Sequence, residues 1–410
     1  MHSWTICWQI VFDGLIGRGK VSRNADNKES RALTHSERPT VSHVPYISIV
    51  VPVYNSEAYL PDLFSSLENQ TFEDYEVIFV DDGSTDRSLS LLESFSQEDQ
   101  RASVIHQENA GGAAARNRGI DHAKGELMIC IDSDDTLSPA LLEHMALPFE
   151  NPDVGMVISY IDTYYEDTGE YRSMPWAINV DLTTNIAFSP SSAIDLFRDV
   201  IGYIGNKMIR RSIVEKHNLR FQTIRSHDDL SFVYAAMAAS PKIVILDEEL
   251  YHYRRRSNGS SITDTTMIDL YECAFIALFD LKSKLIAMNI WPDFAQTFTN
   301  YALYMCKWKV DIASGNKADE IRKRLRDEWF RKLDLLGFPR SYYLHSEEFA
   351  FIGETLDYEN QNACKEEIRR LKNEVKKLKT QNNRIRSSHS FRVGHMLTTI
   401  PRALRRIANK

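Results

Sequence analysis

From Tyr46 onward, nearly continuous apolar runs alternate with amphipathic ones. Tyr46-Ile47-Ser48-Ile49-Val50-Val51-Pro52-Val53-Tyr54-Asn55 is β-branched almost throughout, the pattern of a strand buried on both faces. Pro52 marks its end and Asn55-Ser56 offers a helix cap. Tyr59, Leu60, Leu63, Phe64 and Leu67 then recur at helical spacing. Tyr75–Asp81 predicts a second strand, ending in the turn Asp81-Asp82-Gly83-Ser84-Thr85-Asp86. Leu89, Leu91, Leu92 and Phe95 predict the next helix, and Ser103–His106 a short third strand. Asn109-Ala110-Gly111-Gly112 breaks the chain before a helix over Ala113–Lys124. Gly125 closes that helix, and Glu126–Ile131 predicts a fourth strand running straight into Asp132-Ser133-Asp134-Asp135.

Strand alternating with helix implies an α/β fold, a mostly parallel sheet with helices on both faces. Ligands of such sheets sit outside the carboxyl ends of the strands. Pro52–Asn55, Asp81–Gly83 and Asp132–Asp135 all fall at such ends, so they share one crevice. Three carboxylates spaced i, i+2, i+3 repel one another unless a cation joins them. Taken alone, the run is an even choice between a metal site and a plain strand-end turn or cap for the helical pattern after Ser138-Pro139.

Further on, Val154–Tyr160 predicts a strand and Thr163–Trp176 a hairpin or a loop over the crevice. Ser191–Val200 and Asn206–Lys216 read as helices. Ser226-His227-Asp228-Asp229 opens another, with Ser226 or Asp228 as its cap. Lys242–Leu246 is a strand followed by Tyr251-His252-Tyr253-Arg254-Arg255-Arg256. Asp264–Phe351 alternates helical faces. Cys364, Ile368, Leu371, Val375, Leu378, Asn382 and Ile385 then form a heptad stripe, with Asn382 as a polar a-position residue. The stripe predicts a short coiled coil and a homodimer. The expected organisation is a poorly ordered leader (1–44), a sheet domain (45–263), a helical subdomain (264–356), a coiled-coil helix (357–387) and a basic amphipathic tail (388–410).

Composition changes this picture in three places. The 410 residues, 43% hydrophobic and 26% charged, are those of an ordinary globular protein, and a pI near 5.9 excludes a general nucleic-acid binder. Charge is uneven, however. Gln361–Lys410 carries 14 Lys and Arg against 3 Asp and Glu, a net of +11, so the rest of the chain stands at −19. A basic tail on an acidic body implies an anionic partner, here an anionic membrane surface. Five scattered cysteines form no zinc motif or disulfide framework and fit a reducing cytoplasm. No apolar run approaches the ~20 residues of a membrane span. Trp4–Ile16 is short, interrupted by Asp13 and without a basic flank or cleavage site, so no signal peptide is expected. These features predict a cytoplasmic protein, peripheral on the inner membrane face.

In order and spacing, several stretches together resemble the family 2 glycosyltransferases of GT-A fold. They are Ile49-Val50-Val51-Pro52-Val53-Tyr54-Asn55, Val80-Asp81-Asp82-Gly83-Ser84-Thr85-Asp86, Asn109–Gly119, Ile131-Asp132-Ser133-Asp134-Asp135 and Asp228-Asp229. Asn206–Arg211 and Tyr251-x-Tyr253-Arg254 also match. The resemblance covers about Tyr46–Ile262 and implies an inverting transfer from a nucleotide sugar, with a UDP-sugar as donor and a glycan or lipid-linked acceptor. It makes Asp134 the principal ligand of a divalent cation, with Asp132 beside it, and Asp132 and Asp135 partners of ribose hydroxyls or metal-bound water. Oxygen ligands without nearby cysteine point to Mg or Mn. Asp82 would accept the imide N–H of uracil, and Pro52, Tyr54 and Asn55 would line base and ribose. Arg116 would face the base or phosphate, Arg254 (with Arg256) would grip the diphosphate, and Lys207 would contact the acceptor or phosphate. Asp229 would be the general base. One departure is Asp228, where the family usually has Glu, which leaves open which of the two acids acts. His227 and His252 read as structural. Two other readings are a sugar nucleotidyltransferase and a scaffold acting through the coil and tail. The first would need a Gly-rich basic loop after the first strand, which Pro52-Val53-Tyr54-Asn55 lacks.

Overall fold

The computed structural model describes residues 43–179, 184–257 and 270–387. All but the last two residues of the expected leader, and the whole basic tail, lie outside the described residues. From Val44 the described chain forms one compact unit.

The first half builds as the hydrophobic pattern dictates. Strands β1 (Ile47–Val53), β2 (Tyr75–Asp81), β3 (Ala102–His106) and β4 (Leu127–Cys130) alternate with helices α1 (Leu60–Glu68), α2 (Ser88–Glu98) and α3 (Gly112–His122). A short β5 (Thr136–Leu137) and α4 (Leu141–Ala146) follow. Next come β6 (Val154–Tyr165), β7 (Glu170–Ser173), α5 (Leu196–Asp199), β8 (Lys207–Arg210), α6 (Arg211–Lys216), α7 (Asp228–Ala239) and β9 (Lys242–Arg255). The nine strands form one sheet in the order β3-β2-β1-β4-β8-β6-β9-β5, with β7 paired to β6. Pairs β1/β2, β1/β4, β2/β3 and β6/β9 are parallel, while β5, β7 and β8 run against their neighbours. The sheet is therefore mostly parallel, as the βα alternation implies.

Alternation along β1 separates two cores. Ile47, Ile49, Val51 and Val53 pack with Leu60, Leu63, Leu92 and Phe95 on one face. Val50 turns the other way, to Ile120, Met128 and Cys130. Helix α3 lies almost in contact with the sheet there, because Gly119 has no side chain. A Cβ at Gly119 would stand 2.3 Å from a Val50 methyl. The second face is finished by α7, which is buried over most of its length, and by α8 (Tyr271–Ala287) and α9 (Trp291–Asp311). Tyr271, Phe275 and Phe298 share one continuous core with Phe232 and Tyr234. Helices α10 (Asn316–Arg324) and α11 (Ser346–Leu356) complete this layer, and α12 (Tyr358–Ser387) leaves it as a single 30-residue helix.

Local reading fails in identifiable places. Asn206–Lys216 is not one helix: Lys207–Arg210 is the antiparallel strand β8, because Met208 and Ile209 fill the gap between β4 and β6. Tertiary pairing overrides local preference here. Ser191–Val200 shrinks to a 3-10 turn at Pro190–Ser192 and the one-turn α5. The strands read as Val154–Tyr160 and Lys242–Leu246 extend to Tyr165 and Arg255, because they pair with each other to their ends. Asn55-Ser56 does not cap α1 through a side chain. Asn55 is left-handed, φ 50°, and its Oδ1 accepts the Thr85 N–H at 2.8 Å, tying the β1 and β2 ends together. Neither Ser226 nor Asp228 caps α7, whose leading residue His227 is itself left-handed at φ 61°. The segment Thr163–Trp176 does form a hairpin, β6 against β7.

Candidate active site

The acidic run is held from behind by β9. Residues Asp132–Asp135 lead into β5, whose Thr136 and Leu137 pair with His252 and Tyr251. That register brings Tyr251 and Arg254 onto the turn. Asp135 is buried, and its Oδ2 accepts the Tyr203 and Tyr251 hydroxyls, both at 2.6 Å, while Oδ1 accepts the Arg254 N–H at 2.7 Å. Burial, then the charges of Asp134 and Asp132, push its carboxyl well above the usual range. The Arg254 Nε donates to the Asp134 carbonyl at 2.6 Å and its NH2 to Asp62 at 2.7 Å. Arg254, expected to grip a diphosphate, is 6% exposed and clamps the backbone of the acidic turn. The Tyr203 and Tyr251 rings close over Gly205, where a Cβ would lie 2.5 Å from Tyr251 and 2.7 Å from Tyr203.

The two acids expected to hold a cation have different partners. Asp132 Oδ1 accepts Arg116 NH2 at 2.6 Å and Oδ2 accepts the Tyr203 hydroxyl at 3.1 Å. Asp134 Oδ2 accepts Nε and NH2 of Arg256 at 3.0 and 2.6 Å. Burial and then the Asp132 charge raise the Asp134 carboxyl, with Arg256 pulling the other way. Arg256 also stacks over Tyr59, 4.7 Å from the ring centre. Among the described residues no cluster of three or more Asp, Glu, His or Cys side chains is placed to cage a metal. Two carboxylates on one turn nevertheless fit Mg or Mn. Such ions take one or two protein carboxylates and complete their shell with substrate phosphates and water.

Arg116 links this turn to α7. Its NH2 reaches Asp132 and its NH1 reaches Asp228 Oδ2 at 2.9 Å, with the guanidinium over Phe221. Burial opposes the charge, but the two carboxylates overcome it and hold Arg116 firmly protonated. Expected to face base or phosphate, Arg116 has both terminal nitrogens on protein acids. Asp229, next along α7, is half-buried. Burial, then the Asp228 charge, push its carboxyl up to about 7. Lys207, expected to contact acceptor or phosphate, is fully buried. It donates to the Tyr203 carbonyl at 2.6 Å and to Asn206 Oδ1 at 2.7 Å, and burial lowers it to about 7.

The remaining expected residues stand at the neighbouring strand ends. Pro52 pairs with Val80 in the sheet, and Tyr54 is 50% exposed. Asp82 is buried and braces the loop before α3. Its Oδ1 accepts Gln107 Nε2 at 2.7 Å and the Ala110 N–H at 2.8 Å, and Oδ2 accepts the Gly111 N–H at 2.8 Å. A carboxylate has about four acceptor sites, so Oδ2 keeps one to offer.

Sequence reasoning missed three contributors. Tyr203 and Tyr251 orient the acids through their hydroxyls; the strand period placing Tyr251 and Tyr253 on one side was the available signal. Lys309 of α9 left no signal. Its Nζ lies 3.0 Å from His227 Nε2, and His227 Nδ1 lies 2.9 Å from Ser226 Oγ. Burial lowers His227 to about 3 and Lys309 to about 8. A neutral imidazole accepting from Lys309 and donating to Ser226 thus sets the left-handed corner just before Asp228-Asp229.

Comparisons with known proteins bear on the family and the fold. The model of the family described as Glycosyl transferase family 2 matches residues 48–217. EpsH of Bacillus subtilis (strain 168), which bears a glycosyltransferase name, is 34% identical over 251 residues, 60% of this chain and 70% of its own. Uncharacterized glycosyltransferase EpsJ of the same strain is 31% identical over 295 residues, 69% of this chain and 83% of its own. Among solved structures, residues 1–349 of S. aureus TarS in complex with UDP-GlcNAc superpose with a TM-score of 0.54 at 20% identity. That match covers 70% of this chain and 81% of that one, a likeness of fold. With two relatives above 30% identity spanning most of their own length, this chain belongs to the family 2 glycosyltransferases.

Proposed function

We propose that this glycosyltransferase moves a sugar from a UDP-sugar to a hydroxyl of a cell-surface glycan or lipid-linked acceptor, by a single displacement that inverts the anomeric carbon. One observation carries the reading: Arg116 joins Asp132 at the β4 end to Asp228 at the start of α7. The acids suited to a leaving group and the acid suited to a nucleophile therefore belong to one unit.

Asp229 takes the acceptor proton as its oxygen attacks the anomeric carbon. A base with a pKa near 7 is ionised for about half its population at neutral pH and still accepts a proton readily. Desolvation and the Asp228 charge supply that basicity. Arg116 offsets it and keeps Asp228 on its own guanidinium, which leaves Asp229 as the acid available to the acceptor. Asp132 and Asp134 would hold Mg or Mn, whose chemistry when bound is to neutralise the departing diphosphate. Arg256 is the counter-charge of Asp134 in this structure, and with Asp134 on the cation its guanidinium would turn to a phosphate oxygen. Asp82 keeps a lone pair for the uracil imide, and Pro52, Tyr54 and Asn55 frame base and ribose. TarS is named in complex with UDP-GlcNAc, which supports a UDP-sugar here.

Purified protein screened against nucleotide sugars with Mn or Mg is expected to release UDP from one or a few UDP-sugars, and chelation should stop it. Release of only a different nucleotide, or equal release after chelation, rejects the donor or the metal assignment respectively. Among the described residues no helix is long and apolar enough to cross a membrane. The basic segment 388–410 would hold the enzyme on an anionic, inner-face membrane surface near a lipid-linked acceptor. Co-sedimentation with anionic vesicles should be lost when 388–410 is deleted, and binding that persists overturns this placement.

A further inference from the structure

We propose that α12 joins two copies of this chain as a parallel, in-register, two-stranded coiled coil. Ile368, Leu371, Val375 and Leu378 stand 51%, 50%, 49% and 57% exposed along one side of this helix. Their spacing settles the heptad positions. The three-residue step from Ile368 to Leu371 is an a-to-d step, so Ile368, Val375 and Asn382 occupy a. Leu371, Leu378 and Ile385 occupy d, preceded by Cys364 at the d position before them. Branched residues at a with leucine at d favour two strands over three or four, and one asparagine at a fixes the register.

The flanking charges choose the direction. Positions g are Glu367, Glu374 and Gln381, and positions e are Lys372, Lys379 and Arg386. In a parallel pair each g residue faces the e residue five places on in the other copy. Glu367 then meets Lys372, Glu374 meets Lys379, and Gln381 meets Arg386, each twice by the two-fold axis. In an antiparallel pair g faces g and e faces e, setting Glu against Glu and Lys against Lys. The same charges that close the parallel pair oppose the reversed one. This conclusion is independent of which sugar or acceptor the enzyme uses.

Light scattering of the full chain after size exclusion should give twice the 47.2 kDa chain mass, falling toward one chain on dilution. A monomer at every concentration, or a trimer, overturns the proposal. Leu371→Lys with Leu378→Lys should give a monomer with unchanged near-UV circular dichroism; a surviving dimer places the interface elsewhere. Mild copper–phenanthroline oxidation should link two chains through Cys364, a bond absent in Cys364→Ser. A parallel register sets Cys364 against its own copy, so no such link rejects the orientation. Glu367→Lys/Glu374→Lys and Lys372→Glu/Lys379→Glu should each be monomeric alone and dimeric when mixed. A dimer of either variant alone overturns the charge pairing.

Discussion

Asp229→Asn is expected to lower kcat by about 10²–10⁴-fold, the range a positioned general base contributes, with little change in donor KM. The substitution keeps the shape of the α7 terminus and removes only the proton acceptor. Wild-type kcat/KM should fall on the acid side with an apparent pKa near 7, since burial and the Asp228 charge raise Asp229 to about that value. The limb should vanish in Asp229→Asn, and a retained limb or full activity would sink the base assignment. Stability carries the opposite sign. A carboxyl raised in the folded state favours folding below its unfolded pKa, and that contribution is lost as pH rises through about 7. Urea midpoints should therefore decline between the ordinary carboxylate range and about pH 7 in the wild type, and less so in Asp229→Asn. Lys207, lowered to about 7, acts in a separate window, where stability grows as pH rises from about 7 toward the ordinary lysine range.

Asp134→Asn is expected to cost several kcal/mol of transition-state stabilisation, roughly 10²–10³-fold in kcat. It should also raise the Mn or Mg concentration needed for half-maximal UDP release. The structural cost should be small, because Asp134 meets a part-exposed Arg256 and its backbone carbonyl stays with Arg254. Titrating metal against UDP release, alongside a thermal melt, separates the two effects. Unchanged metal dependence in a folded variant would move the anchor away from Asp134. Asp135→Asn makes an informative contrast. It strips charge from a residue that holds the Tyr203 and Tyr251 hydroxyls, so its first effect should be on stability.

The strand ends were legible because their information is local. An apolar run followed by Asp132-Ser133-Asp134-Asp135 declares both a buried strand and an acidic turn at its carboxyl end within a few residues. The Tyr-x-Tyr-Arg of β9 was legible as a pattern but not as a clamp, since nothing nearby says that β5 will pair with it. Arg116 illustrates the limit best. On its helix it has the appearance of a surface cation, and its two carboxylates lie 16 and 112 positions further along the chain. Lys207 misled for a related reason. Its motif pointed to a contact with acceptor or phosphate, whereas β8 carries it into the core between β4 and β6. Segments whose identity depends on a distant partner, such as β8, are where local periodicity gives the wrong element.

The contact between Lys309 and His227 has a practical consequence for engineering. Lys309 belongs to α9, beyond the stretch 48–217 that the family model matches, yet it hydrogen-bonds the residue that turns the chain into Asp228-Asp229. Chimeras that keep the sheet and import the helical layer of a relative would separate these two residues. Such grafts would retain every acid of the crevice and still misplace one of them. A graft should therefore carry α8 and α9 with the sheet, and exchanges meant to alter specificity should be cut after Lys309 rather than at the end of β9.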